Sequence, residues 1–218
     1  MYWPKQIVSG DFYYLTKRKN KIIVAVADCT GHGVPGAFMS MLGIAHINEI
    51  VNTAEFDCAD QILNELKERI MNSLHQRDEE SKSKDGMDIA LCIIDLENLE
   101  MQFSGAYNPV YIMTNNNLEV LRGDRMPIGF HYKEDCYFTC HHYSLKKGDT
   151  IYLFSDGYCD QFGGENHNKF MTKRFNHLLL DINQYPLPKQ KEWLENTMRE
   201  WMDDKDQVDD ITVLGIKI

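Results

Sequence analysis

Long apolar runs are missing from this chain. The longest uninterrupted ones, Ile22–Ala27 and Ile89–Ile94, stop far short of the ~20 residues that a bilayer-spanning helix needs. No direct membrane insertion is therefore expected. Basic residues are also in short supply: 23 Lys and Arg stand against 33 Asp and Glu, a net charge of −10. A general nucleic-acid binder needs a basic footprint to displace counterions from phosphate, and this balance argues against one. It fits a protein that collects cations. The opening residues MYWPKQ carry no apolar signal region. Cysteines number six, at positions 29, 58, 92, 136, 140 and 159. A chain of 218 residues that is 43% hydrophobic builds its core without disulfide staples. Free thiols in a reducing, cytoplasmic compartment are expected.

No repeat or linker divides the sequence, so residues 1–218 read as one domain. Lys21–Ala27 (KIIVAVA) is a β-branched strand that ends in the glycine-rich turn DCTGHGVPG. Pro35 lies near the first turn of a helix there. Val34, Phe38, Met41, Leu42, Ala45 and Val51 recur at helical spacing, and Ile62, Leu63, Leu66, Ile70 and Leu74 make a second apolar stripe. The polar stretch 76–86, QRDEESKSKDG, reads as a mobile surface loop. DIALCIID and LEMQFSGA, joined at Glu97–Asn98, form a hairpin, as do Val110–Met113 and Leu118–Leu121 around TNNN. Tyr137–Leu145 and Thr150–Phe154 are further strands, Lys169–Ile182 and Lys189–Met202 are helices, and ITVLGIKI closes the chain as a strand. Strands grouped apart from helix pairs predict an α+β fold with two sheets face to face and helix pairs outside.

Two clusters carry chemistry. Cys136, Cys140, His141 and His142 have zinc-ligand residue types. In a strand, Cys136, Cys140 and His142 share a face while His141 points away; the plain alternative is an amphipathic strand. The second cluster is a set of aspartates where apolar strands stop or start. Asp28 follows IIVAVA, Asp156 follows IYLFS, Asp209 and Asp210 precede ITVLGIKI, and Asp11 precedes FYYL. Each alone is an ordinary turn former. If the strand ends meet at one edge, the carboxylates repel one another unless a cation sits among them. Hard oxygen donors of this kind favour magnesium or manganese.

Seven blocks make the chain resemble the metal-dependent protein serine/threonine phosphatase family, in its bacterial branch similar to stage II sporulation protein E. They are SGDFYYL (9–15), VADCTGHGVPGAFMSM (26–41), DGMDIALCIID (85–95), FSGAYNPVYI (103–112), MPIGF (126–130), LKKGDTIYLFSDGYCDQFGG (145–164) and QVDDITVLGIKI (207–218). The resemblance implies a four-layer α-β-β-α sandwich of two antiparallel sheets, with the metal site at one edge. It implies two or more divalent ions, manganese or magnesium. Asp28 would bridge two of them, the Cys29 carbonyl would serve the second, and Asp156 with Asp209, or Asp210 in its place, would serve the first. Asp11 would act directly or through water. Activated water would then attack phosphorus in line with no phosphoenzyme, so the Cys29 thiol is not a nucleophile. His32 is either an acid for the leaving group or a shaper of the glycine turn, and Thr30 reads as structural. The tract 158–164 is a tight loop or touches substrate.

The implied substrate is phosphoserine or phosphothreonine on a small regulatory protein, such as an anti-sigma-factor antagonist. Relatives commonly join a sensor domain upstream, and one is expected before residue 1, the other reading being an abbreviated first strand. Tyr107 stands where relatives commonly carry Asn. An inactive phosphatase-like sensor or binding module, and a hydrolase of small phosphoesters, are the alternative readings.

Overall fold

The chain is described by a computed structural model over residues 1–77, 83–132 and 136–218. In chain order it forms β1 (Tyr2–Trp3), β2 (Phe12–Arg18), β3 (Lys21–Cys29), α1 (Gly33–Thr53), α2 (Ala59–Ser73), β4 (Gly86–Asp95), β5 (Glu100–Ala106), β6 (Val110–Thr114), β7 (Asn117–Leu121), β8 (Ile128–Gly129), β9 (His141–Ser144), β10 (Thr150–Phe154), α3 (Gly157–Asp160), β11 (Phe162–Gly163), β12 (Asn168–Lys169), α4 (Met171–Ile182), α5 (Leu187–Met202) and β13 (Ile211–Lys217). One sheet runs β1-β13-β10-β6-β7. The other runs β2-β3-β4-β5-β9, with β8 beside β4, and every pairing between these strands is antiparallel.

Side-chain alternation stacks these sheets into four layers. Along β3, Ile23, Ala25 and Ala27 face the α1–α2 layer, together with Ile62, Leu63, Leu66 and Ile70 of α2. Val24 and Val26 point the other way and meet Ile112, Ile151 and Leu153 of the second sheet. Tyr152 and Phe154 of β10 then face Phe175 and Leu179 of α4 and Leu194 and Met198 of α5. Burial of each aliphatic side chain in these layers contributes about 1.5–3 kcal/mol. The expected α-β-β-α sandwich is the observed one.

Only part of the α1 stripe faces the core as its spacing suggests: Val51 is buried and Leu42 packs against that core. Val34, Phe38 and Met41 are more than half exposed. The buried face is instead Gly36, Met39, Ser40, Gly43, Ile47, Ile50 and Val51. Small residues win this face because the helix lies very close to its neighbours: a Cβ on Gly36 would stand 2.2 Å from the Gly31 carbonyl oxygen. At 21 residues and a mean hydropathy of 1.2, α1 is long and apolar enough to cross a membrane. Here it packs on β2, β3 and α2.

Other boundaries shift by local chemistry. Gln76, expected in a surface loop, is buried, and its amide donates to the Asp85 carbonyl at 2.6 Å. Residues 78–82 of that expected loop lie outside the described residues. Residues 137–140 precede β9 rather than extend it. In the tract 158–164, Tyr158 and Cys159 sit in the core on α3, and the Tyr158 hydroxyl donates to the Leu194 carbonyl at 2.9 Å.

Candidate metal centre

Antiparallel pairing brings the start of one strand beside the end of the next. Phe12 of β2 pairs with Ala27 near the end of β3, and Asp28 pairs with Asp88 near the start of β4. In the other sheet Phe154, ending β10, pairs with Val213 near the start of β13. Asp11, Asp28, Asp88, Asp156, Asp209 and Asp210 are thereby gathered from five parts of the chain to one mouth of the sandwich.

Two close approaches set the rim. A Cβ on Gly10 would stand 2.4 Å from the Gly31 carbonyl oxygen, and one on Gly157 2.0 Å from that of Asp210. Only glycine lets these backbones meet. The Gly157 contact lays the start of α3, and with it Asp156, against the segment carrying Asp209 and Asp210.

The carboxylates are crowded and largely removed from water. Burial, followed by the charges of Asp11, Asp156 and Asp209, pushes Asp28 up to about 9. Asp28 and Asp156 are close enough to share a hydrogen bond, and Asp156 is also raised, first by burial and then by Asp160. Asp11 rises to about 7 through burial, although the hydroxyls of Ser155 and Thr212 donate to its Oδ2 at 2.5 and 2.7 Å. Asp88 rises to about 7 through burial and the Asp156 charge. Such a set stays negative only if a cation compensates it. All the donors are oxygen, which suits a hard divalent ion.

The two adjacent aspartates are held differently, although the charges of both reach Asp11. Both carboxylate oxygens of the buried Asp210 are occupied: Oδ1 accepts from the Lys5 amide and Oδ2 from the Gly10 amide, each at 2.7 Å. Asp210 thus ties the N-terminal segment to the sheet. Asp209 spends one oxygen on the Asp210 amide at 2.8 Å, and its charge reaches Asp11, Asp28 and Asp156.

The remaining predicted residues fall as follows. Cys29 is buried, burial pushes its thiol pKa up, and Ser40 Oγ lies 4.0 Å from its sulfur. Thr30 clips the turn to β4, its amide donating to the Gly86 carbonyl at 2.9 Å and its Oγ1 accepting from the Gly86 amide at 3.0 Å. His32 is exposed at the N-cap of α1, its Nε2 3.0 Å from Lys5 Nζ. An ammonium group only donates, so Nε2 is the acceptor in this contact. Sequence reasoning did not single out Asp88. Its signal was the block DGMDIALCIID, in which Asp88 pairs with Asp28 across β3 and β4.

An antiparallel double sheet between helix pairs, with buried carboxylates at one mouth, is the architecture of PP2C-type phosphatase domains. The family described as stage II sporulation protein E (SpoIIE) matches residues 18–218, and the chain belongs to that family. The SiaA-PP2C domain of Pseudomonas aeruginosa is 32% identical, superposes with a TM-score of 0.91, and covers 100% of this chain and 84% of that one. The phosphatase domain of SpoIIE from Bacillus subtilis is 19% identical with a TM-score of 0.80, over 100% of this chain and 61% of that chain; it supports the fold. Phosphoserine phosphatase RsbU of Bacillus subtilis (strain 168) is 29% identical over 164 residues, which are 71% of this chain and 44% of RsbU. The chain thus matches less than half the length of that relative.

Proposed function

We propose that this domain removes phosphate from phosphoserine or phosphothreonine on a small regulatory protein. One observation carries the reading: carboxylates from distant parts of the chain are buried together at one sheet edge, where their mutual repulsion calls for a cation. The name of RsbU, a phosphoserine phosphatase, supports the substrate class. An anti-sigma-factor antagonist is the kind of partner this reading favours, with a sensor domain before residue 1 as its regulator. All six cysteines are free thiols, which supports a reducing cytoplasm.

Asp28, Asp156, Asp209 and the Cys29 carbonyl would hold two divalent ions, manganese or magnesium, with Asp11 steadying a further ion or its water. Bound there, such ions lower the pKa of a water and offset charge on the phosphoryl oxygens. The chain's own part is placement. Asp28 and Asp156 meet across the mouth. Ser155 and Thr212 hold one oxygen of Asp11, which fixes the direction of the other. Asp210 locks the rim through the Lys5 and Gly10 amides. No side-chain nucleophile is required, in keeping with the raised Cys29 thiol. His32, held by Lys5, would need to exchange that contact before it could pass a proton to a leaving oxygen.

The test is hydrolysis of p-nitrophenyl phosphate with and without manganese, followed by a phosphopeptide panel. Manganese-dependent turnover that favours phosphoserine or phosphothreonine peptides is expected. Turnover confined to small phosphoesters would replace the protein substrate with a small molecule. Folded protein inert with every divalent ion would leave a binding module.

A further inference from the structure

A second group of metal-ligating residues lies away from the carboxylates. Cys58, Cys140 and His142 bring two Sγ atoms and an imidazole nitrogen within 4.8 Å of one another. His142 Nε2 stands 3.7 Å from Cys58 Sγ and 3.8 Å from Cys140 Sγ. A tetrahedral zinc ion with Zn–S of about 2.3 Å and Zn–N of about 2.0–2.1 Å has S···N edges of roughly 3.6 Å. Both S···N edges therefore already match such a site, and the two sulfurs lie within 4.8 Å of each other.

Three separate parts of the fold create this spacing. Cys58 is the N-cap of α2. Cys140 ends the segment before β9. His142 lies on β9 opposite Gln102 of β5. Alternation along β9 turns His142 toward the α1–α2 layer, while His141 turns away and stacks on Phe103 with ring centroids 5.8 Å apart. Cys136, the partner expected from sequence, is outside this trio and packs against the core instead.

The surroundings lack hydrogen bonds that a bound cation and its water would satisfy. Gln102 donates through Nε2 to the Asp57 carbonyl at 3.0 Å, next to Cys58, while its buried Oε1 has no hydrogen-bond partner. Asp60 Oδ1, two residues beyond Cys58, is likewise buried and unpartnered, and the Asp60 charge reaches the Cys58 thiol. Buried acceptors left unpaired cost free energy and are rare. The register places this group apart from the phosphatase mouth. Ile23, Ile93, Gln102 and His142 form one cross-strand row, and Asp28 lies five residues along β3 from Ile23, roughly 16 Å at the strand rise.

We propose that Cys58, Cys140 and His142 form a soft-metal site that takes zinc, with a fourth position left for water. The ion would pin the α1–α2 connection to the edge strand β9. Two thiolates and an imidazole select zinc over magnesium or manganese, so this site and the carboxylate mouth would load different ions in the same molecule. The proposal stands whether or not the mouth is catalytic.

The probe is cobalt(II), added to the reduced full chain with magnesium in excess. Thiolate ligands give cobalt an intense near-ultraviolet charge-transfer band that carboxylates do not. One equivalent is expected to develop the band, and an equivalent of zinc to bleach it. Cys58→Ser and Cys140→Ser should each weaken cobalt binding by at least about tenfold and dim the band. Cys136→Ser should leave both unchanged. His142 is exposed, so His142→Ala tests the site without threatening the fold; a loss of about tenfold or more is expected. No band in the wild-type chain, or undiminished cobalt affinity in His142→Ala, would overturn the proposal.

Discussion

The carboxylate mouth and the Cys58–Cys140–His142 trio are two answers to one problem, that of holding charge-seeking donors together before any ion arrives. At the mouth the donors are hard, buried and mutually repelling, so three aspartates are held well above their ordinary 3.8. In the trio the donors are soft and partly exposed, two sulfurs and an imidazole nitrogen, and they sit within 4.8 Å of one another. The mouth is built from backbone closeness at glycine and from a hydrogen-bonded strut, Asp210. The trio is built from a helix cap and an edge strand. Burial thus makes a hard-cation site demand its ion, whereas a soft site can wait in place.

The largest break in that comparison comes from Asp28→Asn. Turnover should fall by at least about 10²–10³-fold, the scale for losing one group that stabilises transition-state charge, while cobalt still develops its thiolate band. Steady-state assays with saturating manganese check the first part and absorbance checks the second.

The pair Asp209 and Asp210 sharpens the distinction between donor and strut. Asp209→Asn should abolish manganese-dependent turnover with little change in melting temperature. Asp210→Asn turns an amide N–H toward one of two buried backbone donors and should cost about 1–3 kcal/mol, seen as a lower denaturation midpoint. If the two variants exchanged these effects, the assignment would reverse.

The pH dependence of the metal-free chain tests the stored repulsion. Asp11, Asp28 and Asp88 have raised folded values, so their contribution to stability is fully present below 3.8. It is lost as pH rises through about 7 and about 9. Melting temperature without divalent ions should therefore fall across that window, and saturating manganese should flatten the slope. Calorimetry at several pH values gives the answer; a metal-free melting temperature that climbs across it would show that the carboxylates are not destabilised.

Smaller effects are expected outside the mouth. His32→Ala should cost less than about tenfold in turnover, below the ~10²–10⁴ of a general acid, because its exposed Nε2 is engaged by Lys5 Nζ at 3.0 Å. Tyr107 has φ of 55°, a left-handed conformation that Asn adopts more easily. Tyr107→Asn should raise unfolding free energy by about 0.5–1 kcal/mol, which a chemical denaturation curve can resolve.

Sequence carried the hairpins and the order of elements because turn chemistry is local. Asn115 and Asn116, with φ of 48° and 61°, form the left-handed turn that TNNN announces. It also carried the aspartates at strand ends, since an apolar run that stops at a carboxylate is visible in one dimension. The buried face of α1 was hidden because periodicity weighs large apolar residues, and here Gly36, Ser40 and Gly43 take the core side. Asp88 was hidden within its strand, where only register reveals that it faces Asp28. Two of the soft trio were legible in Cys140 and His142, but Cys58 lies 82 residues before Cys140 and only the α1–α2 layer brings it there. The different anchoring of Asp209 and Asp210 was hidden because the partners of Asp210 come from residues 5 and 10.

A crystal of this chain soaked in manganese, measured for anomalous scattering at the manganese edge, addresses the convergence of the carboxylates most directly. Peaks are expected within coordination distance of Asp28, Asp156 and Asp209, with both Asp210 oxygens still on the Lys5 and Gly10 amides. Full manganese in the crystal with no peak among those three side chains would contradict it.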